Sequence, residues 1–351
     1  MEARATQLAE SRPQLDFPLR VGIPINAPER RPKPKSDDII RANTFSPQAL
    51  AISKKNQANL AAFGESLIDS PNKTPVNTEH NALVATSIKD FTVLALSSKR
   101  ADKKEVEATA YASLGVIYDD QSNNKLAIEN YELYLAICED INDTIGIACA
   151  CNCIGVDYMN LANPAGSIFS IQLNDDSVAH LNKALSYHSR HLEIGPDPGA
   201  QFVANTNMGL CLAMLGNINQ AAKHHQDALR VAIKMQTLYG QSISVGNLGM
   251  LAVIRSDYST AKTCFDQHLQ LVQALADYEA EINAWKLLAN LYKLNENHID
   301  ALDALGHARA IAEREGFLND LRRINCLIGV TQGTLDFFNF SSSLLEQEQM
   351  L

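Results

Sequence analysis

An apolar residue followed directly by a small one recurs along this chain at an almost constant interval. The pairs are Leu114-Gly115, Ile154-Gly155, Met208-Gly209, Leu248-Gly249, Leu288-Ala289 and Ile328-Gly329. They lie 40, 54, 40, 40 and 40 residues apart. The long interval exceeds the others by 14 residues and contains the Pro-, Gly- and Ser-bearing stretch 163–176, which we interpret as a loop inserted into one repeat. A fixed period of this length is typical of proteins built from stacked structural repeats.

Each repeat contains two segments in which apolar and small residues follow helical spacing. In the fifth repeat the first set is Trp285, Leu288, Ala289 and Tyr292, and the second is Ala301, Leu305 and Ala308. The first set falls at i, i+3, i+4 and i+7, which places it on one face of a helix. The polar residues 295–297 separate the two segments and predict a turn. Each repeat is therefore predicted to be a pair of antiparallel helices.

This pattern resembles the tetratricopeptide repeat. The same positions in the first full repeat hold Tyr111, Leu114, Gly115, Tyr118, Ala127 and Tyr131. The resemblance covers about residues 105–310 and decays towards 350. A period of 40 exceeds the family's usual length of about 34 and is similar to the longer repeats of spindle-orientation adaptors, kinesin light chains and ciliary repeat proteins. The resemblance implies an all-α, right-handed superhelical solenoid of antiparallel helix pairs that binds other proteins and has no catalytic activity.

Four segments are expected along the chain. They are an extended Pro-rich arm (1–45), a divergent first helical pair (46–104), the solenoid with its inserted loop (105–333) and a C-terminal capping helix or tail (334–351). The first pair is predicted as helices over Pro47–Asp69 and His80–Lys99. Phe91 in the second of these lies 40 residues before Tyr131 and so keeps the repeat register. Seven stacked helix pairs would result.

The N-terminal arm is predicted to be extended, unlike the helical repeats. Six prolines between residues 13 and 34 exclude a helix and favour extended backbone. Apolar residues nevertheless alternate with other residues from Leu15 to Ile25, which gives an extended strip with one apolar edge. Two interpretations stay open: a disordered leader, or an anchoring arm that orders on a partner. The anchoring residues would be Phe17, Leu19, Val21 and Ile23, with the basic patch Arg30, Arg31, Lys33 and Lys35.

Charge is divided unevenly along the chain. Residues 1–105 carry 16 Lys plus Arg against 12 Asp plus Glu, which gives a net charge of +4. Residues 106–351 carry 14 Lys plus Arg against 28 Asp plus Glu, which gives a net charge of −14. An acidic repeat region repels phosphate backbones, which argues against nucleic acid as a partner. The composition predicts no membrane span, and the mixed charge of residues 1–16 fits neither a secretory signal nor a transit peptide. We therefore expect a cytoplasmic protein.

No motif in the sequence indicates catalysis or metal binding. Cys149, Cys151 and Cys153 alternate on a predicted helix without completing a zinc tetrahedron, and His188 and His191 have no fixed acidic neighbour. Phosphate-binding loops and hydrolase or metalloprotease motifs are absent from the sequence. We expect no enzyme activity, no metal site and no cofactor.

A candidate peptide groove follows from the resemblance, in which the first helix of each pair lines the concave surface. Its groove positions lie three and two residues before the small residue and one after it. The residues singled out there are Asn152, Asn207, Asn247, Val116, Val156, Leu210, Met250, Lys286 and Asn290. The asparagine amides offer a donor and an acceptor to the backbone of an extended peptide, or they satisfy structural groups instead.

Lys286 and Asn290 also match a pair that chaperone-binding members of this family use to hold a C-terminal carboxylate. The corresponding positions of the first three full repeats do not supply the rest of such a clamp: they hold Ala112 and Val116, Asn152 and Val156, and Thr206 and Leu210. Two functions remain: a scaffold built into a larger assembly, and a soluble adaptor that binds peptides in the groove. The family analogy points to a ciliary, axonemal or other microtubule-based setting, with tubulin or axonemal proteins among the partners.

Overall fold

The computed structural model describes residues 78–163, 173–195 and 197–349. The predicted arm, its anchoring residues and the predicted helix 47–69 lie outside the described residues. Within the described ranges the chain forms helices only, with no strand. Its helices are α1 (Thr78–Arg100), α2 (Lys104–Asp120), α3 (Asn124–Asp140), α4 (Thr144–Ala162), α5 (Asp175–Ile194), α6 (Pro198–Met214), α7 (Ile218–Lys234), α8 (Leu238–Ile254), α9 (Tyr258–Ala274), α10 (Tyr278–Leu294), α11 (His298–Glu315) and α12 (Leu318–Gln349).

The helices pack in consecutive antiparallel pairs, which confirms the predicted repeat. The five complete pairs in the described ranges are α2–α3, α4–α5, α6–α7, α8–α9 and α10–α11. Each second helix also packs on the first helix of the next pair, so neighbouring repeats share buried apolar side chains, as in the cluster that extends from α8 to α12. A helix pair cannot bury its apolar face alone, and stacking supplies the missing partner.

The turns between helices repeat as regularly as the helices do. A residue with positive φ occurs every 20 positions on either side of the inserted loop, at Asp102, Ser122 and Asn142 and then at Gly216, Gln236, Ser256, Ala276, Glu296 and Gly316. At Ala276 the backbone N–H donates to Gln273 O at 3.0 Å, and the N–H of Asp277 donates to Val272 O at 3.2 Å. The Asp277 carboxylate then accepts from the N–H of Ala280 at 3.0 Å. Three residues thus close one helix and cap the next.

Small residues in the first helix of each pair are needed for close packing. A methyl group built on Gly209 would lie 2.6 Å from the His225 ring, and one built on Gly249 would lie 2.6 Å from the Phe265 ring. The small residues of the second helices, predicted at Ala127, Ala221, Ala261 and Ala301, are all fully buried. Both observations agree with the register taken from the sequence.

The C-terminal region of the described chain is one long helix. The period places a turn at residue 336, but α12 continues through it to Gln349. The predicted boundary at 333/334 therefore falls inside one helix. The sixth repeat has a first helix and, within the described residues, no second one.

Helix α4 is the most apolar of the long helices. The sequence predicts no membrane span, yet by length and composition this helix could cross a membrane. However, 67% of its most apolar stretch is buried inside the fold. It packs against α3, α5 and α6. We therefore interpret α4 as a core helix of the stack.

Candidate peptide-binding groove

The candidate groove is formed by the first helices of successive pairs. In the middle of the stack, α4 contacts α6 and α6 contacts α8 directly. Most residues of these three helices are buried, because each is covered by its own second helix and by the neighbouring repeats. The middle of the predicted groove is therefore much less open than its ends.

The position just after the small residue shows this gradient. Val116 in the first full repeat is 41% exposed, and Asn290 in the fifth is also exposed. The three middle residues, Val156, Leu210 and Met250, are 5%, 8% and 2% exposed. The floor is apolar as predicted, but its central part contributes to the core.

Two of the predicted groove asparagines bind each other. The Asn207 amide nitrogen on α6 donates to the Asn152 amide oxygen on α4 at 3.0 Å, and both residues are buried. This contact links two neighbouring repeats inside a largely apolar environment. Such buried polar pairs fix the register of the elements that they join.

Asn247 occupies the same position one repeat later and behaves differently. It is 1% exposed, and neither its amide nitrogen nor its amide oxygen has a hydrogen-bond partner. A buried, unpaired amide costs roughly 1–3 kcal/mol. The sequence alone could not distinguish Asn247 from Asn207, because the distinction depends on what the preceding repeat presents.

The two residues of the second predicted pair, Lys286 and Asn290, have different environments. The Lys286 ammonium group is nearly buried, lies 3.1 Å from Asn283 Oδ1 and forms an ion pair with Asp320 at 3.5 Å. Asn290 is exposed on the same helix. A carboxylate ligand would have to compete with Asp320 of α12 for the lysine.

The chain was compared with known proteins in sequence and in structure. No protein-family model matches the chain, and no curated protein matches it in sequence. Among solved structures, it is similar to BtubC (BKLC) from P. vanneervenii at a TM-score of 0.53 and 14% identity, over 66% of this chain and 92% of that one. The chain has a tetratricopeptide-repeat-like fold.

Other TPR-like structures match less closely. A signal transduction ATPase from Pyrococcus horikoshii with a tetratricopeptide repeat sensor matches at a TM-score of 0.46 and 15% identity, over 85% of this chain and 45% of that one. The type IV pilus biogenesis factor PilW matches at 0.43 and 18% identity, over 71% and 99%. Membership of the longer-repeat branch stays a prediction.

Histidines in this TPR-like stack occupy places that the sequence did not assign to them. His188 and His225 are the bulky side chains that cover Gly155 and Gly209, where other repeats use Tyr131 and Phe265. Both rings are buried, and burial lowers the pKa of each imidazole to about 3. Neither ring nitrogen of His188 has a hydrogen-bond partner. Both imidazoles are therefore neutral groups that pack against the glycines.

Two further histidines tie helices together. His224 Nδ1 lies 2.9 Å from the Asn205 amide oxygen, and His268 Nδ1 lies 2.8 Å from the Ser242 hydroxyl. In the described ranges, no group of three His, Cys, Asp or Glu side chains could hold a metal ion.

Proposed function

We propose that this chain is a non-catalytic scaffold for protein–protein interactions and a structural component of a larger assembly. The supporting observation is the clustering of exposed apolar side chains at the two ends of the described stack. On α1 these are Val93, Leu94 and Leu96, which are 38–58% exposed, and on α12 they are Val330, Phe337, Phe338 and Phe340, which are 50–66% exposed. Contiguous exposed apolar surface is typical of protein interaction sites.

The N-terminal arm is the proposed anchor. Its apolar strip and its basic patch at residues 30–35 contrast with the acidic repeat region, and its prolines lower the entropy lost on docking. Deletion of residues 1–40 should leave helicity intact in circular dichroism and release the protein from its native assembly on fractionation. Full retention of the truncated protein would contradict the anchoring role.

The proposed setting is cytoplasmic and microtubule-based, such as a cilium or axoneme. Its support is the likeness of the 40-residue period to ciliary and kinesin light chain repeats. The test is sedimentation of the full chain with and without microtubules over a salt series, beside a variant in which Arg30, Arg31, Lys33 and Lys35 are alanine. Salt-sensitive pelleting that this variant loses is expected, and equal pelleting of both proteins would contradict the role of the patch.

The second candidate function is a soluble adaptor that binds extended peptides in the groove. It is favoured by Asn247, whose unpaired amide could exchange two hydrogen bonds with a peptide backbone. Because Asn247 is 1% exposed, a peptide must first displace the groups that cover it. In pull-downs from the native source, Asn247→Leu should release groove-bound partners and leave partners bound at the ends of the stack. Retention of every partner would exclude this candidate.

A further inference from the structure

Helix α12 carries an apolar face that is open to solvent. Cys326, Val330, Gly333, Phe337 and Phe340 are all exposed, and the three larger side chains, Val330, Phe337 and Phe340, are 57–66% exposed. These five residues follow one another at alternating intervals of four and three positions. Two helices pack along a shared seam with this spacing. We call the five residues the α12 face.

The α12 face lies where a second helix packs in the complete repeats. A methyl group built on Gly155, Gly209 or Gly249 would lie 2.5–2.6 Å from a ring of the second helix of its repeat. The equivalent residue of the sixth repeat is Gly329, and a methyl group built there or on Gly333 would meet no atom within 4 Å. Within the described ranges, α12 therefore has room for one more antiparallel helix.

The α12 face is poor in charge for a helix surface that is open to water. Between residues 324 and 345 the sequence has one charged residue, Asp336, at the edge of the face. The Asp336 carboxylate accepts a hydrogen bond from Gln332 Nε2 at 2.9 Å. Depletion of charge and enrichment in aromatic residues are typical of the core of a protein interface. The face therefore has the composition of a surface that another protein covers.

The sizes of the residues on the α12 face fit a second copy of the same face. The part around Gly333 is small, and the part with Phe337 and Phe340 is large. When two α12 helices run antiparallel with residue 335 at the centre, Phe337 of each copy lies over Gly333 of the other, and Phe340 lies beside Val330. Each phenylalanine then meets a smaller residue, as close packing requires. A parallel pair would instead place phenylalanine against phenylalanine and glycine against glycine.

The charges near the two ends of α12 favour the same arrangement. They are Asp320, Arg322 and Arg323 at its start and Glu346 and Glu348 at its end. Asp320 already forms an ion pair with Lys286 of α10 at 3.5 Å, which leaves the start of the helix basic. Antiparallel pairing centred on residue 335 brings residue 322 of each copy opposite residue 348 of the other, so opposite charges meet at both ends. Parallel pairing would bring like charges together.

We propose that two copies of this chain associate through an antiparallel pair of α12 helices. Each α12 then covers the sixth repeat of the other copy in the way that a second helix covers the complete repeats. Asp336 of each copy lies at the edge of the contact, where water weakens the repulsion between the two carboxylates. The same surface is used by both copies, so the contact closes as a two-fold dimer. The inference rests on the proposed scaffold function and names the partner at the α12 end: a second copy of the chain.

Site-specific photo-cross-linking of the purified full chain identifies what lies on the α12 face. With p-benzoylphenylalanine in place of Phe340, irradiation should give a covalent dimer in which the new bond reaches the segment around Val330 of the second copy. The same change at Phe338 is the matched control. Phe338 is 50% exposed, but it stacks on His298 of α11 with 5.5 Å between the ring centres, so its bond should stay within one chain. A bond from position 340 to residues 1–77 of its own chain, a bond to position 340 of the second copy, or no dimer would overturn the proposal.

Sedimentation velocity measures the association without cross-linking. Gly333→Glu puts a charge where Phe337 of the other copy should lie, and half-association should then need at least about tenfold more protein. Gly306→Glu is the control, because Gly306 is also an exposed helical glycine with nothing within 4 Å of a built methyl group, and it should leave association unchanged. Circular dichroism should show wild-type helicity for both variants.

Equal effects of the two substitutions on association would overturn the proposal, and so would a wild-type chain that stays monomeric at every attainable concentration. If such a monomer still co-fractionates with its native assembly, the dimer is excluded and the scaffold function stands.

Discussion

The ring of Phe265 on α9 lies directly over Gly249 on α8, so that a methyl group on the glycine would come within 2.6 Å of Phe265 Cε1 and 3.0 Å of Cys264 Cβ. A larger side chain at Gly249 must therefore push the two helices of one repeat apart.

We expect Gly249→Leu to lower the free energy of unfolding by about 1–3 kcal/mol, the usual cost of overpacking a core. Gly306→Leu makes the same change on the exposed face of α11, where it should be neutral or stabilising because leucine favours the helix. Urea unfolding followed by circular dichroism measures both. Equal unfolding midpoints would show that this helix pair does not pack in the proposed register.

The turn residues offer a stabilising change. Ala276 has a φ of +53°, in the left-handed region that a residue with a Cβ adopts at a cost. Ala276→Gly should raise the free energy of unfolding by about 0.5–1 kcal/mol. Ala136→Gly, at an exposed position inside α3, should lower it by about 1 kcal/mol. The same sign for both substitutions would contradict the turn geometry.

Much of this fold follows from the sequence because the repeat positions depend on local spacing. The residue pairs at period 40 and the turn at 295–297 needed only helical periodicity and turn chemistry. The end of the stack did not follow, because Asp336 stands where a turn is due and nothing in the backbone forbids the helix that forms instead.

The groove shows why burial was harder to predict. Val116 and Val156 are the same residue type at the same repeat position, yet one is 41% exposed and the other 5%. Their difference comes from the helices around them: α4 packs against α6, whereas α2 lies near the end of the described stack. The position of a residue within its repeat predicts which way its side chain points. Whether that side chain is exposed depends on the neighbouring repeats.

Acid should destabilise the protein through its buried histidines. Burial lowers the pKa of His225 to about 3, whereas an unfolded histidine titrates near 6.5. Below pH 6.5 the unfolded chain therefore binds a proton that the folded chain excludes, and the free energy of unfolding falls as the pH drops towards 3. At pH 5.5 this one residue should cost about 1.4 kcal/mol.

His225→Phe should remove this acid destabilisation. Phenylalanine fits the position because Phe265 packs against the equivalent glycine, Gly249, in the next repeat. The measured quantity is the effect of the substitution at pH 5.5 minus its effect at pH 7.5. The second value is the internal reference, because the histidine is neutral at that pH in both states. A difference near zero would mean that His225 is not excluded from protonation.

The two asparagines at equivalent places of neighbouring repeats should respond oppositely to one substitution. Asn207→Leu removes the donor to Asn152 and leaves that buried amide oxygen without this hydrogen bond, so the free energy of unfolding should fall by about 1–3 kcal/mol. Asn247→Leu removes an amide that has no partner, so the change should be neutral or stabilising. Chemical unfolding of the two variants, with hydrogen exchange of α6 and α8 to localise the effect, measures this difference. Equal destabilisation would show that the Asn247 amide has a structural partner, and its candidacy as a peptide-binding group would lose its physical basis.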